Sequence, residues 1–178
     1  MSCLDSDPWF GRGQTLGVTS TSEGTGIVGT ERWFLDTNPT TGAVNSNVPV
    51  KCIAMRNTGS GTLSAGQVVK GKSTALLSEV DGDASVDSPI VGVVDEYLSK
   101  AVAVNDVFWV VVNGPTTANS DGAISQAAFV SVGTSGTAGK LVASVANKTA
   151  GVALAAASGN KVRVLLGLAG RSARVSTP

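Results

Sequence analysis

The chain has 178 residues, room for one good-sized domain or two small ones with a core that needs no staples. Its 13 basic and 13 acidic side chains cancel, so no global charge draws it to nucleic acid or to an anionic membrane. Histidine is absent, which excludes a Ser–His–Asp hydrolase or a His-ligated zinc site, and Cys3 and Cys52 are too few for a Cys₄ zinc site or a disulfide framework.

Val, Ala, Gly, Ser and Thr dominate, and the residues that fill amphipathic helices are thin. Val and Thr suit pleated, half-buried surfaces, while Gly and Ser suit turns, so the composition predicts an all-β protein of many short strands. Met1–Asp7 has neither a basic region nor an apolar one, so no secretory signal is expected there. The apolar run Val107–Asn113 is strand-sized and far short of a membrane span. A soluble protein made in the cytoplasm, with reduced cysteines, is the expectation.

Residues 1–47 read as an extended arm: rich in Gly, Thr, Ser and Asn, yet carrying the pairs Trp9-Phe10 and Trp33-Phe34. Those aromatics either cap the domain's own core or anchor the arm on a neighbouring subunit. From Val48 the strand signals become regular. Val50–Arg56 alternates and closes at Asn57–Gly61; Gln67–Gly71 and Thr74–Leu77 follow, with a turn at Asp81-Gly82-Asp83. Pro89–Glu96 carries an embedded Gly92 that predicts a bulge or tight bend. Val107–Val112 is the strongest strand, and Asn113-Gly114-Pro115 is expected to end it. One helical stretch is expected, around Ser120–Val130.

The second half repeats the first in shorter form. Gly66–Val69 matches Gly139–Val142, Ile90–Val94 matches Thr149–Ala153, and Asn105–Val110 matches Gly159–Val164. The predicted fold is a compact β-barrel or sandwich over residues 48–168 with a degenerate twofold internal repeat, preceded by the arm and followed by a basic tail over 169–178.

Catalytic motifs are near misses. Gly133–Leu141 has a Gly-rich look, but Leu141 stands where a phosphate loop needs Ser or Thr and no helix follows, so it reads as a hairpin turn. Asp81, Asp83 and Asp87 have calcium-loop spacing, but Val86 and Gly92 occupy the places of the required Gly and Glu. Asn147-Lys148-Thr149 is a glycosylation triplet without a secretory route. Asp95 and Glu96, adjacent in a strand, are expected to face opposite sides and so not to share a substrate. No enzyme activity, cofactor or metal is expected.

The neutral total hides two opposed ends. Between Glu79 and Asp106 lie Glu79, Asp81, Asp83, Asp87, Asp95, Glu96 and Asp106 against Lys100 alone. Beyond Gly122 lie Lys140, Lys148, Lys161, Arg163, Arg171 and Arg174 with no acid. These ends either neutralise each other within one molecule or dock between subunits.

The succession Ala65–Val69 (AGQVV), Ser88–Glu96 (SPIVGVVDE), Asn105–Pro115 (NDVFWVVVNGP), Thr137–Val142 (TAGKLV) and Thr149–Leu166 (TAGVALAAASGNKVRVLL) resembles the small β-rich capsid decoration, or cement, proteins of tailed bacteriophages. The likeness covers about Ala65 to Leu168. Asn105 departs from it, standing where the pattern has Gly, and Tyr97–Ala103 is a longer insertion. The resemblance implies a structural protein on the outside of a mature icosahedral head, assembled in the host cytoplasm. It would bind the major capsid protein and neighbouring copies of itself, often as a trimer, and neither nucleic acid nor membrane. Trp9, Phe10, Trp33 and Phe34 are then the candidate anchors. Phe108 and Trp109 are expected to serve the core, one facing in and its neighbour out, with Trp109 the interface candidate of the pair, and Arg171 and Arg174 are candidates in the tail. Another virion β-protein (head fibre, tail or baseplate component) and a carbohydrate-binding β module are the rival readings.

Overall fold

The computed structural model describes residues 11–16, 27–72, 78–85, 88–134, 138–144 and 149–167. The strands are β1 (Thr15–Leu16), β2 (Glu31–Thr37), β3 (Val44–Asn57), β4 (Val68–Gly71), β5 (Glu79–Asp81), β6 (Ile90–Val94), β7 (Val107–Asn119), β8 (Phe129–Val132), β9 (Leu141–Ala143), β10 (Gly151–Ala153) and β11 (Lys161–Leu166). The all-β expectation holds, and no helix occurs among the described residues. The helix expected around Ser120–Val130 is corrected: the stretch is irregular, with one turn at Gln126-Ala127 leading into β8. Ala127 takes a left-handed φ of 64°, and its N–H donates to the carbonyl of Ala153, so sheet pairing overrides the modest helical preference of alanine.

β7 is the spine. Its first half lies between β3 and the ends of β6 and β1, and its second half, Gly114–Asn119, pairs with β11. Gly114-Pro115 therefore bends the strand instead of ending it. Gly114 has φ 98°, and a Cβ there would meet the carbonyl of Pro49, so only glycine fits the bend. The pairings β3–β5, β5–β4, β4–β6, β6–β7 and β7–β3 close a ring, in which β3–β5 alone is parallel.

Alternation along these strands makes two cores. Met55, Val69, Val80, Val94, Phe108 and Val110 come from all the ring strands and fill the ring, with Leu63 and Val102 plugging it. Val50, Cys52, Val68, Val93, Trp109 and Val111 point the other way, against Val130, Leu141, Val162, Val164 and Leu166 of the second sheet, β7–β11–β10–β8–β9. Both faces of β7 are thus covered. Phe108 and Trp109 do alternate, but each enters a core and each is fully buried. Trp109 is accordingly not an outward residue, because the second sheet and Phe34 cover the face it occupies.

The internal repeat is a repeat of backbone constraints. Gly66 and Gly139 both take left-handed φ, 78° and 75°. Gly92 and Gly151 both press on a neighbouring strand: an added Cβ would land on the carbonyl oxygen of Val111 in one case and of Leu165 in the other. Asn105, at φ 71°, matches Gly159 at φ 57°, so asparagine fills the left-handed position that the pattern gives to glycine. The bulge expected near Gly92 is present, with Val91 as the extra residue between the pairs Val69–Gly92 and Lys70–Ile90. Gly133 and Lys140 close a hairpin between β8 and β9.

Within residues 1–47, Thr15–Leu16 pairs with β7 and Glu31–Thr37 pairs with β3, which itself begins at Val44. These stretches are sheet, held by the same ladder as the rest.

Candidate interaction surface

β2 and the first half of β3 form a hairpin whose outer end stands clear of both cores. Along β2 exposure alternates: Glu31, Trp33 and Leu35 face solvent while Arg32, Phe34 and Asp36 turn inward. Trp33 is 60% exposed and Leu35 72%, and Val44, opposite Thr37 on the same face, is 63% exposed. Three large apolar side chains in a row on one face is the signature of a contact surface. Phe34, on the other face, meets Trp109 edge-to-face with ring centroids 5.3 Å apart and fixes the hairpin to the core.

An internal ionic cluster fixes the hairpin a second time. Arg163 of β11 donates from Nη1 to Glu96 (2.8 Å) and from Nη2 to the buried Asp36 of β2. Ser46 of β3 adds a hydrogen bond to Asp36 at 2.6 Å. Beside them, Arg12 donates from Nη2 to Asp95 (2.8 Å), the N–H of Gly13 reaches the other oxygen of Asp95 (2.6 Å), and the Tyr97 ring lies 4.6 Å from the Arg12 guanidinium. Asn45 donates to the hydroxyl of Tyr97.

The expectation that Asp95 and Glu96 lie in a strand and face opposite sides is corrected. β6 ends at Val94, the pair sits in the turn beyond it, and Arg12 Nη2 reaches both, Glu96 at 3.8 Å. Strand alternation no longer separates them there. One member of the basic end, Arg163, is thereby neutralised within the molecule by an acid of the opposed end, Glu96.

The charges follow from these contacts. Burial pushes the Asp95 carboxyl up, against the pull of Arg12 and the Gly13 N–H. Burial also pushes on Asp36, but hydrogen bonds from Arg163 and Ser46 outweigh it and hold the carboxyl below its usual range. Burial works to lower Arg163, but its bonds to Asp36 and Glu96 raise it overall. Buried Cys52 is pushed up to about 12.

This cluster ties β2, β11 and the segment around Arg12 to the turn after β6. Each carboxylate is engaged by an arginine. Among the described residues no three His, Cys, Asp or Glu side chains are arranged to hold a metal ion. The crevice between ring and second sheet is lined by Val68, Ile90, Val93, Val112, Leu141 and Leu166 and has no titratable group on it.

Of the residues singled out in the sequence, Trp33 lies on the exposed face and Phe34 directly beneath it, while Trp109 is core. Trp9, Phe10, Arg171 and Arg174 lie outside the described residues, as do Asp87 and Lys148. Leu35 and Val44 escaped notice in the sequence, although the period-2 pattern Glu31-Trp33-Leu35 was available to mark the outer face. Arg12 and Asp36 carried no local signal, because their partners lie 83 and 127 residues away.

No family model matches the chain, and no curated protein does. Among solved structures, one similar chain is the head fibre gp8.5 N base of bacteriophage phi29, with 15% identity over 66% of this chain and 94% of that one and a TM-score of 0.47. Another comes from the capsid of Myoviridae phage XM1, with 15% identity over 68% of this chain and 85% of that one and a TM-score of 0.48. Likenesses this distant carry no conclusion about function.

Proposed function

We propose that this chain is a structural protein of a tailed-phage virion, and within that class a decoration protein that binds the outer surface of the mature head and stabilises its intersubunit seams. The observation that carries the reading is the coincidence of the sequence signature with the backbone. The motif positions Gly66 and Gly139, Gly92 and Gly151, and Asn105 and Gly159 occupy equivalent constraints in the two halves. The internal repeat that runs through the signature is therefore a repeat of backbone geometry as well as of letters.

A protein that binds the assembled lattice and not its dissociated subunits stabilises the lattice by mass action. Several modest contacts suffice when they act together. Trp33 offers one such contact on the body of the protein, to a neighbouring copy. Trp9 and Phe10 at one end of the chain and Arg171 and Arg174 at the other would supply the rest, reaching the major capsid protein.

Quantitative mass spectrometry of gradient-purified particles tests this. Abundance comparable to the major shell protein supports decoration. A handful of copies assigns the chain to a fibre, tail or baseplate, and absence from the particle overturns the virion reading.

A further inference from the structure

The outer edge of β2 carries an inference that goes beyond the particle assignment and does not depend on it. β2 ends the sheet, with β3 as its strand partner among the described residues. The N–H of Ala54 donates to the carbonyl of Thr30, so Thr30 and every second residue after it point their peptide groups at β3. Glu31, Trp33 and Leu35 consequently turn theirs outward. The two irregularities in this ladder, from Phe34–Val50 to Asp36–Ser46 and from there to Thr37–Val44, both put the extra residues on β3, so β2 itself carries no bulge. Of the devices that blunt edge strands, β2 has no proline, lysine or bulge of its own, and the charges it carries, Glu31, Arg32 and Asp36, are of both signs.

We propose that β2 pairs antiparallel with β2 of a second copy of this chain, about a twofold axis at Phe34. Parity restricts the register, because outward-facing peptides at odd-numbered residues can pair only with each other. Centring on Phe34 sets Trp33 against Leu35 of the second copy and Leu35 against its Trp33, covering on both chains the side chains that are 60% and 72% exposed. The same register sets Arg32 against Asp36 and Glu31 against Thr37, so no like charges meet. Centring on Trp33 instead sets Glu31 against Leu35 and wastes the apolar match. Such an interface is isologous and closes at two copies, unlike the trimer that the sequence resemblance implies.

The test uses the full-length chain. Sedimentation velocity across a concentration series should show a monomer–dimer equilibrium. Leu35→Lys should weaken it by at least about thirtyfold, as for loss of one hot-spot side chain, without changing the circular dichroism spectrum or the melting temperature. In a Cys3→Ser background, mixing Trp33→Cys with Leu35→Cys should give a mixed disulfide dimer in greater yield than either variant alone. A monomer at every concentration up to about 1 mM overturns the proposal. So does a dimer indifferent to Leu35→Lys, or cross-linking dominated by Trp33→Cys with itself. The outcome is independent of whether the protein is found on a particle.

Discussion

The guanidinium of Arg12 closes on the carboxylate of Asp95 at 2.8 Å across 83 residues of chain, and both side chains are almost wholly shielded from water. Breaking a buried pair strands one charge, so Arg12→Met should destabilise the fold by about 3–5 kcal/mol. Combining it with Asp95→Leu should cost less than the sum of the two single changes. Urea denaturation of the two variants and the double variant checks this; strict additivity would mean that the two residues do not act as a pair.

Gly92 and Gly151 make a matched prediction. Alanine at either position drives a methyl group into the carbonyl of the adjacent strand, at Val111 or Leu165. Each substitution should cost about 1–3 kcal/mol through overpacking. Gly61→Ala, where an added Cβ meets nothing within 4 Å, should stay within about 0.5 kcal/mol of the parent. Denaturation midpoints for the three variants decide it.

Asp36 gives stability a pH dependence of known sign. Its carboxyl is held below the usual range when folded, so its contribution is complete above the unfolded value and is lost as pH falls through the folded one. Asp95 acts in the opposite sense, since its raised carboxyl favours the fold at low pH and loses that contribution as pH rises through its folded value. The difference between parent and variant isolates the first effect. Asp36→Asn should lower stability at pH 7 by about 1–3 kcal/mol, and the deficit should shrink below about pH 4. A deficit that stays constant down to pH 2 would place the stabilisation elsewhere.

Cys52, buried and with its thiol pushed up to about 12, should be inert to thiol reagents at pH 8 in the folded protein. In a Cys3→Ser background, labelling should appear only at denaturant concentrations that unfold the chain. Prompt labelling in buffer would show that the core between ring and second sheet opens readily.

Asn105 tests the internal repeat. Its φ of 71° suits asparagine and glycine and penalises a β-branched residue. Asn105→Gly should be near neutral, whereas Asn105→Val should cost about 1–2 kcal/mol, read as a shift in thermal midpoint.

The all-β class, the duplication and the bulge beside Gly92 were determined by the sequence itself, because each depends on neighbours a few residues apart. Alternation, turn residues and glycine placement are local signals, and Gly66, Gly92 and Asn105 do in the folded chain what their spacing announced. Only the tertiary structure decided that Phe108 and Trp109 are both buried, on opposite faces. A strand's period of two says which residues share a face, but not how many faces are covered, and a second sheet covers the one that Trp109 occupies. The same holds for Gly114-Pro115, which reads locally as a stop and becomes a bend because β11 continues the ladder beyond it. The Arg12–Asp95 and Arg163–Asp36 contacts were beyond any local reading. Charge pairing depends on where the chain returns in space, and that return is set by the ring and the second sheet together.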